Sequence, residues 1–316
     1  MIIPIFTFFS AAVISLLVTF PVIWLLQVWH LGQPVRTEGP ASHQAKSGTL
    51  TMGGVGFVLV ILAMTVVLID LELYPQYLAL FLLTLAFAVI GLADDACKVF
   101  FRRNLGLTFW QKILVQGVVA AVFALVMTLL GQNLTLGGWL GRYGFANPYL
   151  YQLLVIFLVV GSANATNLTD GLNGLLAGTA SVAFLAFGIL AWQMNLPQAV
   201  TFALVCSGAV TAFLYFNFPH ARVFMGDVGS LALGAALAGL AVIMHGELRL
   251  AVIGGIFVLE ALSVIIQVGS YKLIKRRVFK MSPLHHHFEL MGIKETTVVV
   301  GFWVFGVILA IIGLWI

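Results

Sequence analysis

Ten apolar segments, each near the ~20 residues that carry a helix across a bilayer's hydrocarbon, dominate the sequence and leave it few folds to choose from. They run at roughly 3–26, 53–70, 77–93, 111–131, 149–168, 175–194, 199–216, 230–246, 250–273 and 297–316. Of the 316 residues 62% are hydrophobic and only 8% charged, and the mean hydropathy is +1.11. A soluble domain carries about 25% charged residues, so this chain cannot cover itself with polar surface and the bilayer must be its solvent. The expected fold is an all-α integral membrane protein of about ten transmembrane helices, one polytopic domain over 1–316. No Lys or Arg precedes Arg36, so the first segment lacks the basic start of a cleavable signal peptide and reads as a true span. Cys97 and Cys206 form no CxxC pair and read as small apolar packers.

Ten spans sort the linkers onto two sides. Those at 27–52, 94–110, 169–174, 217–229 and 274–296 share one side with 13 of the 15 Lys and Arg residues, and only Arg142 and Arg249 fall opposite. The positive-inside rule predicts that this side is cytoplasmic and that both termini lie outside. Asp94, Asp95, Asp170 and Asp227 collect there, as do His285, His286 and His287; Asp70 is the one aspartate that does not. A carboxylate costs roughly 2.5–3.5 kcal/mol at the centre of a span and less near its ends. A single aspartate can simply solvate a helix end, since acidic groups suit helix N-termini. Four on one face, with basic partners, point to convergence on one ligand or ion.

Each linker adds chemistry. In GLADDACKVFFRRN, adjacent Asp94 and Asp95 point about 100° apart on a helix, so they cannot form one bidentate clamp and suit two separate roles. Lys98 follows Asp94 by four residues and can hold it ionised. In NATNLTDGLNGL, Asn167, Asp170 and Asn173 cluster, with Asp170 and Asn173 spaced to share a face that offers acceptors to a sugar or base; an Asn/Gly turn is the plain alternative. In FNFPHARVFMGDVGS, Asp227 lies between Gly226 and Gly229 and suits a hard cation such as Mg²⁺, which takes one or two carboxylates plus substrate phosphates. Phe224 can stack on a base or simply pack. The run KLIKRRVFKMSPLHHHFELMG joins a basic stretch, which is foremost a topology signal, to three histidines better suited to phosphate or sugar than to Mg²⁺. In the first linker Lys46 is a phosphate partner, although the GxxxxGK[ST] order of a P-loop is absent. Glu260 sits mid-span with Gln267 two turns on, either as a functional acid or as a protonated bond between helices.

As an ordered set, GLADDACKV, NLTDGLNGL, FNFPHARVFMGDVGS and FKMSPLHHHFEL resemble the polyprenyl-phosphate N-acetylhexosamine-1-phosphate transferase superfamily. QPVRTEGPASHQAKSGTLTMGG and SPLHHHFELMGIKE resemble its phospho-N-acetylmuramoyl-pentapeptide transferase branch, over residues from about 33 onward. The resemblance implies Mg²⁺-dependent reaction of UDP-MurNAc-pentapeptide with undecaprenyl phosphate to give lipid I and UMP, at the cytoplasmic face of a bacterial inner membrane. By the same resemblance Asp227 is the magnesium ligand, Asp94 and Asp95 are the paired catalytic aspartates, and His285 opens the essential histidine motif. Lys46, Lys112, Asp170, Asn217 and Phe224 match positions lining the nucleotide site. Two positions depart from the pattern: Leu50 replaces the proline of GTPTMGG, and Asn173 replaces the second aspartate of TDGLDGL, which removes a carboxylate from the nucleotide site. Membrane lipids are expected partners and nucleic acid is not; a homodimer is left open. Two rivals remain: a paralogue moving GlcNAc-1-phosphate, and a secondary transporter. The transporter is disfavoured because only Glu260 and Gln267 are clearly mid-span and no internal repeat is visible.

Overall fold

In a computed structural model, residues 2–29, 48–100, 106–131 and 147–316 are described, apart from the side chains of Ile2 and Pro148. Twelve helices form among them: α1 (Ile2–Val28), α2 (Gly54–Leu68), α3 (Pro75–Phe100), α4 (Phe109–Leu129), α5 (Pro148–Thr169), α6 (Leu175–Gln193), α7 (Pro197–Asn217), α8 (Gly226–Ile243), α9 (Glu247–Ile253), α10 (Gly255–Ile274), α11 (Leu284–Glu289) and α12 (Glu295–Trp315). The described residues contain no strand, only an isolated bridge between Leu50 and Val223. Nine of the helices are long and apolar enough to cross a bilayer, so the chain is a multi-pass membrane protein. The segment expected at 53–70 forms the 15-residue α2, about 22 Å long and shorter than the ~30 Å hydrocarbon layer. The segment expected from 250 is interrupted at Gly254, which separates the short α9 from α10.

Local signals set the helix ends. Thr108 and Gln111 form a capping box at the start of α4, and Asn147 caps α5 with Pro148 at its first position. Pro197 likewise opens α7. Gly174, at φ 78°, supplies the left-handed turn between α5 and α6.

The bundle is layered around α8, whose apolar window is 94% buried, against 22% for α1 and α10. Lipid is as apolar as leucine, so helices in a bilayer associate through close packing and hydrogen bonds. The sequence of α8, GDVGSLALGAALAGLAVI, is built for such packing by its small residues. Its main neighbours are α3 and α5. A Cβ on Gly91 of α3 would collide with the Asp227 carbonyl, and one on Gly234 of α8 would collide with Thr166 of α5. Outward-facing Phe6, Leu17, Leu273 and Trp315 are largely exposed, as a lipid-facing shell requires.

Candidate active site

The close approach at Gly91 brings the end of α3 onto the first turn of α8. Helix α3 continues to Phe100, so Asp94, Asp95 and Lys98 lie on its last turns; the linker expected to begin at residue 94 does not start there. Asp227 stands in the first turn of α8. One ligand oxygen from each of Asp94, Asp95 and Asp227 lies within 4.8 Å of the other two, and all three residues are buried. The expectation that adjacent Asp94 and Asp95 could not converge is corrected: despite their offset of about 100°, an oxygen of each reaches the other, the same lysine and a carboxylate supplied by another helix.

Two ammonium groups hold this cluster. Lys98 Nζ is 2.7 Å from Asp94 Oδ2, 3.4 Å from Asp95 Oδ1 and 3.2 Å from Asp227 Oδ2. Lys112, one turn into α4 behind the capping box, reaches Asp227 Oδ2 at 2.6 Å. Asn167 Nδ2 donates to Asp227 Oδ1 at 2.9 Å and to Ser230 Oγ at 2.9 Å. Backbone groups fix the other aspartates: Val228 N–H donates to Asp95 Oδ2 at 3.1 Å, and Leu107 N–H to Asp94 Oδ1 at 2.9 Å. Gly226, at φ 77°, keeps the space beside Asp95 clear, since a Cβ there would crowd Asp95 Oδ2. Three carboxylates face two lysines, which formally leaves negative charge over. That excess and the all-oxygen donor set fit a hard divalent cation.

Asp170 follows the last residue of α5. Burial, and then the carboxylates of Asp227 and Asp95, push its carboxyl well above the usual range, against the opposing pull of Lys98. A folded-state value above the unfolded one means that the folded protein binds the extra proton. The resulting penalty is absent below about pH 3.9, grows as pH rises from there to the folded value, and is constant above it. Asp170→Asn removes it, so in divalent-free buffer the variant should melt above the wild type at pH 8 by a margin that narrows at pH 5. Equal melting at pH 8 contradicts the assignment.

The expected shared face of Asp170 and Asn173 is not formed. Helix α5 ends at Thr169, and the turn that follows aims Asn173 elsewhere: its Nδ2 donates to the Pro219 carbonyl at 3.1 Å, and its N–H to Glu295 Oε1 at 2.9 Å. Asn217 ties two loops together, accepting from Gly174 N–H at 2.7 Å and donating to the Val223 carbonyl at 3.0 Å. Phe224 is half-buried, and its backbone bonds to Leu50 and Gly53 fasten the start of α2 to the start of α8. Leu50 contributes its carbonyl there, a group that a proline would also offer. Lys46 lies outside the described residues.

The three histidines separate. His285 is fully buried, with Nε2 packed against Gly171, the residue after Asp170. His286 Nδ1 is 2.8 Å from Glu289 Oε2. His287 Nδ1 accepts from Lys280 N–H at 3.1 Å while its ring stands edge-on to Phe279. Of the three, His285 is the one whose ring packs against the residue after Asp170. Sequence reading missed Ser230, the backbone donors at Leu107 and Val228, and the link between Glu260 and His285. Backbone donors leave no sequence trace, whereas the isolated acid at Glu260 was a signal without a partner.

Fold and site together define a class: polytopic helical membrane proteins with a lysine-bound cluster of carboxylates where three helices meet. Residues 77–245 match the model of glycosyl transferase family 4. The chain belongs to that family. It is 47% identical to the phospho-N-acetylmuramoyl-pentapeptide-transferase of Shouchella clausii over 98% of this chain and 94% of the relative. It is 46% identical to that of Bacillus subtilis over 98% and 97%, and 48% identical to that of Geobacillus thermodenitrificans over 90% and 89%.

Proposed function

We propose that this chain transfers phospho-N-acetylmuramoyl-pentapeptide from UDP-MurNAc-pentapeptide to undecaprenyl phosphate, giving lipid I and UMP, at the cytoplasmic face of a bacterial inner membrane. The observation that carries the reading is the carboxylate cluster with Lys98 and Lys112, in a chain nearly half identical over its length to enzymes of that name. The lopsided distribution of Lys and Arg supports the cytoplasmic placement.

The physical difficulty is bringing two anions together. A lipid phosphate oxygen attacks the phosphorus next to the sugar, the bond from that phosphorus to the oxygen of UMP breaks, and UMP leaves with that oxygen. Catalysis of such a step is mainly positioning and charge neutralisation. Asp227 would hold Mg²⁺, with Asp94 and Asp95 beside it, and the ion when bound would offset charge on the diphosphate. Lys98 and Lys112 offset more of that charge. Asp94 takes a proton from the lipid phosphate, so that the attacking oxygen is free. Direct attack is the simpler route; a covalent phospho-enzyme trapped without lipid acceptor would replace it with a two-step path.

The test is UMP release by the purified full-length protein with Mg²⁺, undecaprenyl phosphate and either UDP-MurNAc-pentapeptide or UDP-GlcNAc. Turnover is expected with the muramoyl substrate. Turnover with UDP-GlcNAc alone would transfer the chain to the paralogous reaction.

A further inference from the structure

Glu260 lies in the second turn of α10, five residues after Gly255, and is fully buried, a costly place for a carboxylate in a membrane protein. Both of its oxygens face one residue of a distant segment, Oε1 in a hydrogen bond and Oε2 in a close approach that lacks hydrogen-bond geometry. Oε1 accepts from the His285 N–H at 3.3 Å, and Oε2 stands 3.2 Å from His285 Nδ1. Among the described residues the Glu260 carboxylate has no other partner, while its carbonyl accepts from Ser263 Oγ at 2.7 Å. On the far side of the ring, His285 Nε2 is turned toward Gly171, and like Nδ1 it is buried without a hydrogen-bond partner. A Cβ at Gly171 would collide with Nε2, so glycine leaves room at that ring edge, next to Asp170. The other two histidines have Nδ1 engaged by their own segment, His286 by Glu289 and His287 by the Lys280 backbone. His285 is gripped from α10, a membrane-spanning helix.

We propose that Glu260 is a positioning residue, whose carboxylate bonds the His285 backbone N–H and faces Nδ1 at 3.2 Å, and so presents Nε2 to the sugar-phosphate side of the substrate. A carboxylate facing Nδ1 selects the form with the proton there, which leaves Nε2 as an acceptor. The inference rests on the transferase reading for its substrate, but not for its geometry.

Glu260→Gln tests it at nearly constant volume. If the amide oxygen stays on the backbone N–H, its NH₂ faces Nδ1 and forces the proton to Nε2, inverting the tautomer. The expected result is a kcat lower by about 10–100-fold, the scale found when a histidine loses its orienting partner, with KM for the nucleotide substrate little changed. Because Glu260 acts through His285, the double variant E260Q/H285A should be no slower than H285A alone. Multiplying losses, or wild-type kcat in E260Q, would overturn the proposal. If E260Q does not accumulate as folded protein, E260D, which withdraws the carboxylate by one methylene, enters the same cycle with the same two readings. Imidazole ¹⁵N spectra of the full chain provide the readout independent of turnover: a proton on Nδ1 of His285 in wild type and on Nε2 in E260Q. If the wild type releases no UMP, the transferase reading fails while the spectra still decide the role of Glu260; an unchanged tautomer with normal turnover sinks the positioning alone.

Discussion

Asp227→Asn should lower UMP release by about 10²–10³-fold while the protein stays folded in the membrane. The loss follows from how much converges on this carboxylate. Its Oδ2 takes Lys112 at 2.6 Å and Lys98 at 3.2 Å, and its Oδ1 takes Asn167 at 2.9 Å. An amide keeps the shape but surrenders the charge, and its NH₂ must face either a lysine or the Asn167 donor. Lys98 retains Asp94 and Asp95 in the variant, so the α3 side of the site remains tied. Lys112 loses its one charged partner among the described residues. The fold should therefore survive, because the packing of α3 on α8 runs through Gly91 and the Asp227 backbone, which the substitution leaves in place. The check is the rate of UMP release against Mg²⁺ concentration, with size-exclusion elution as the measure of folding. Retained full activity would remove Asp227 from the proposed metal site.

The spans were legible because period and length are written directly in apolar residues. The helix expected at 175–194 occupies Leu175–Gln193, and that expected at 199–216 occupies Pro197–Asn217. Where the estimate slipped, polar residues had been read as linker: Asp94, Asp95 and Lys98 continue α3, since in a buried bundle charged groups that satisfy one another need not leave the helix. The convergence of Asp94, Asp95 and Asp227 was legible as a tendency, from acids collected on one side, but their spacing was not. That spacing depends on contacts at Gly91 and Gly226, which look like any other glycine in the sequence. Asn173 was misplaced because a spacing of three residues means a shared face only inside a helix, and α5 stops at Thr169. Glu260 was legible as an anomaly. Its partner lies 25 residues away beyond a loop, a separation that no helical periodicity encodes.

Gly91→Ala should be as damaging as a change to the acids themselves, although it adds only a methyl group and touches no side chain of the cluster. The new Cβ would collide with the Asp227 carbonyl and crowd the Val228 N–H, which is the donor that fixes Asp95. Backbone atoms in the first turn of α8 cannot swing aside as a flexible side chain would, so α3 must move off α8. Overpacking of this kind costs about 1–3 kcal/mol. The larger effect is on the reaction, because Asp94 and Asp95 ride on α3 while Asp227 rides on α8. A misplacement of about 1 Å between reacting groups can cost 10²-fold, and that is the expected fall in kcat. Gly301→Ala on α12, where a Cβ would meet nothing within 4 Å, is the matched control and should leave both melting and turnover unchanged. Measuring melting temperature and UMP release for the two variants side by side separates the causes: a G91A protein that melts a few degrees lower yet turns over at the wild-type rate would show that α3 and α8 need not be held at this distance. Loss of turnover out of proportion to loss of stability would instead make this glycine contact the element that holds the three carboxylates at reacting distance.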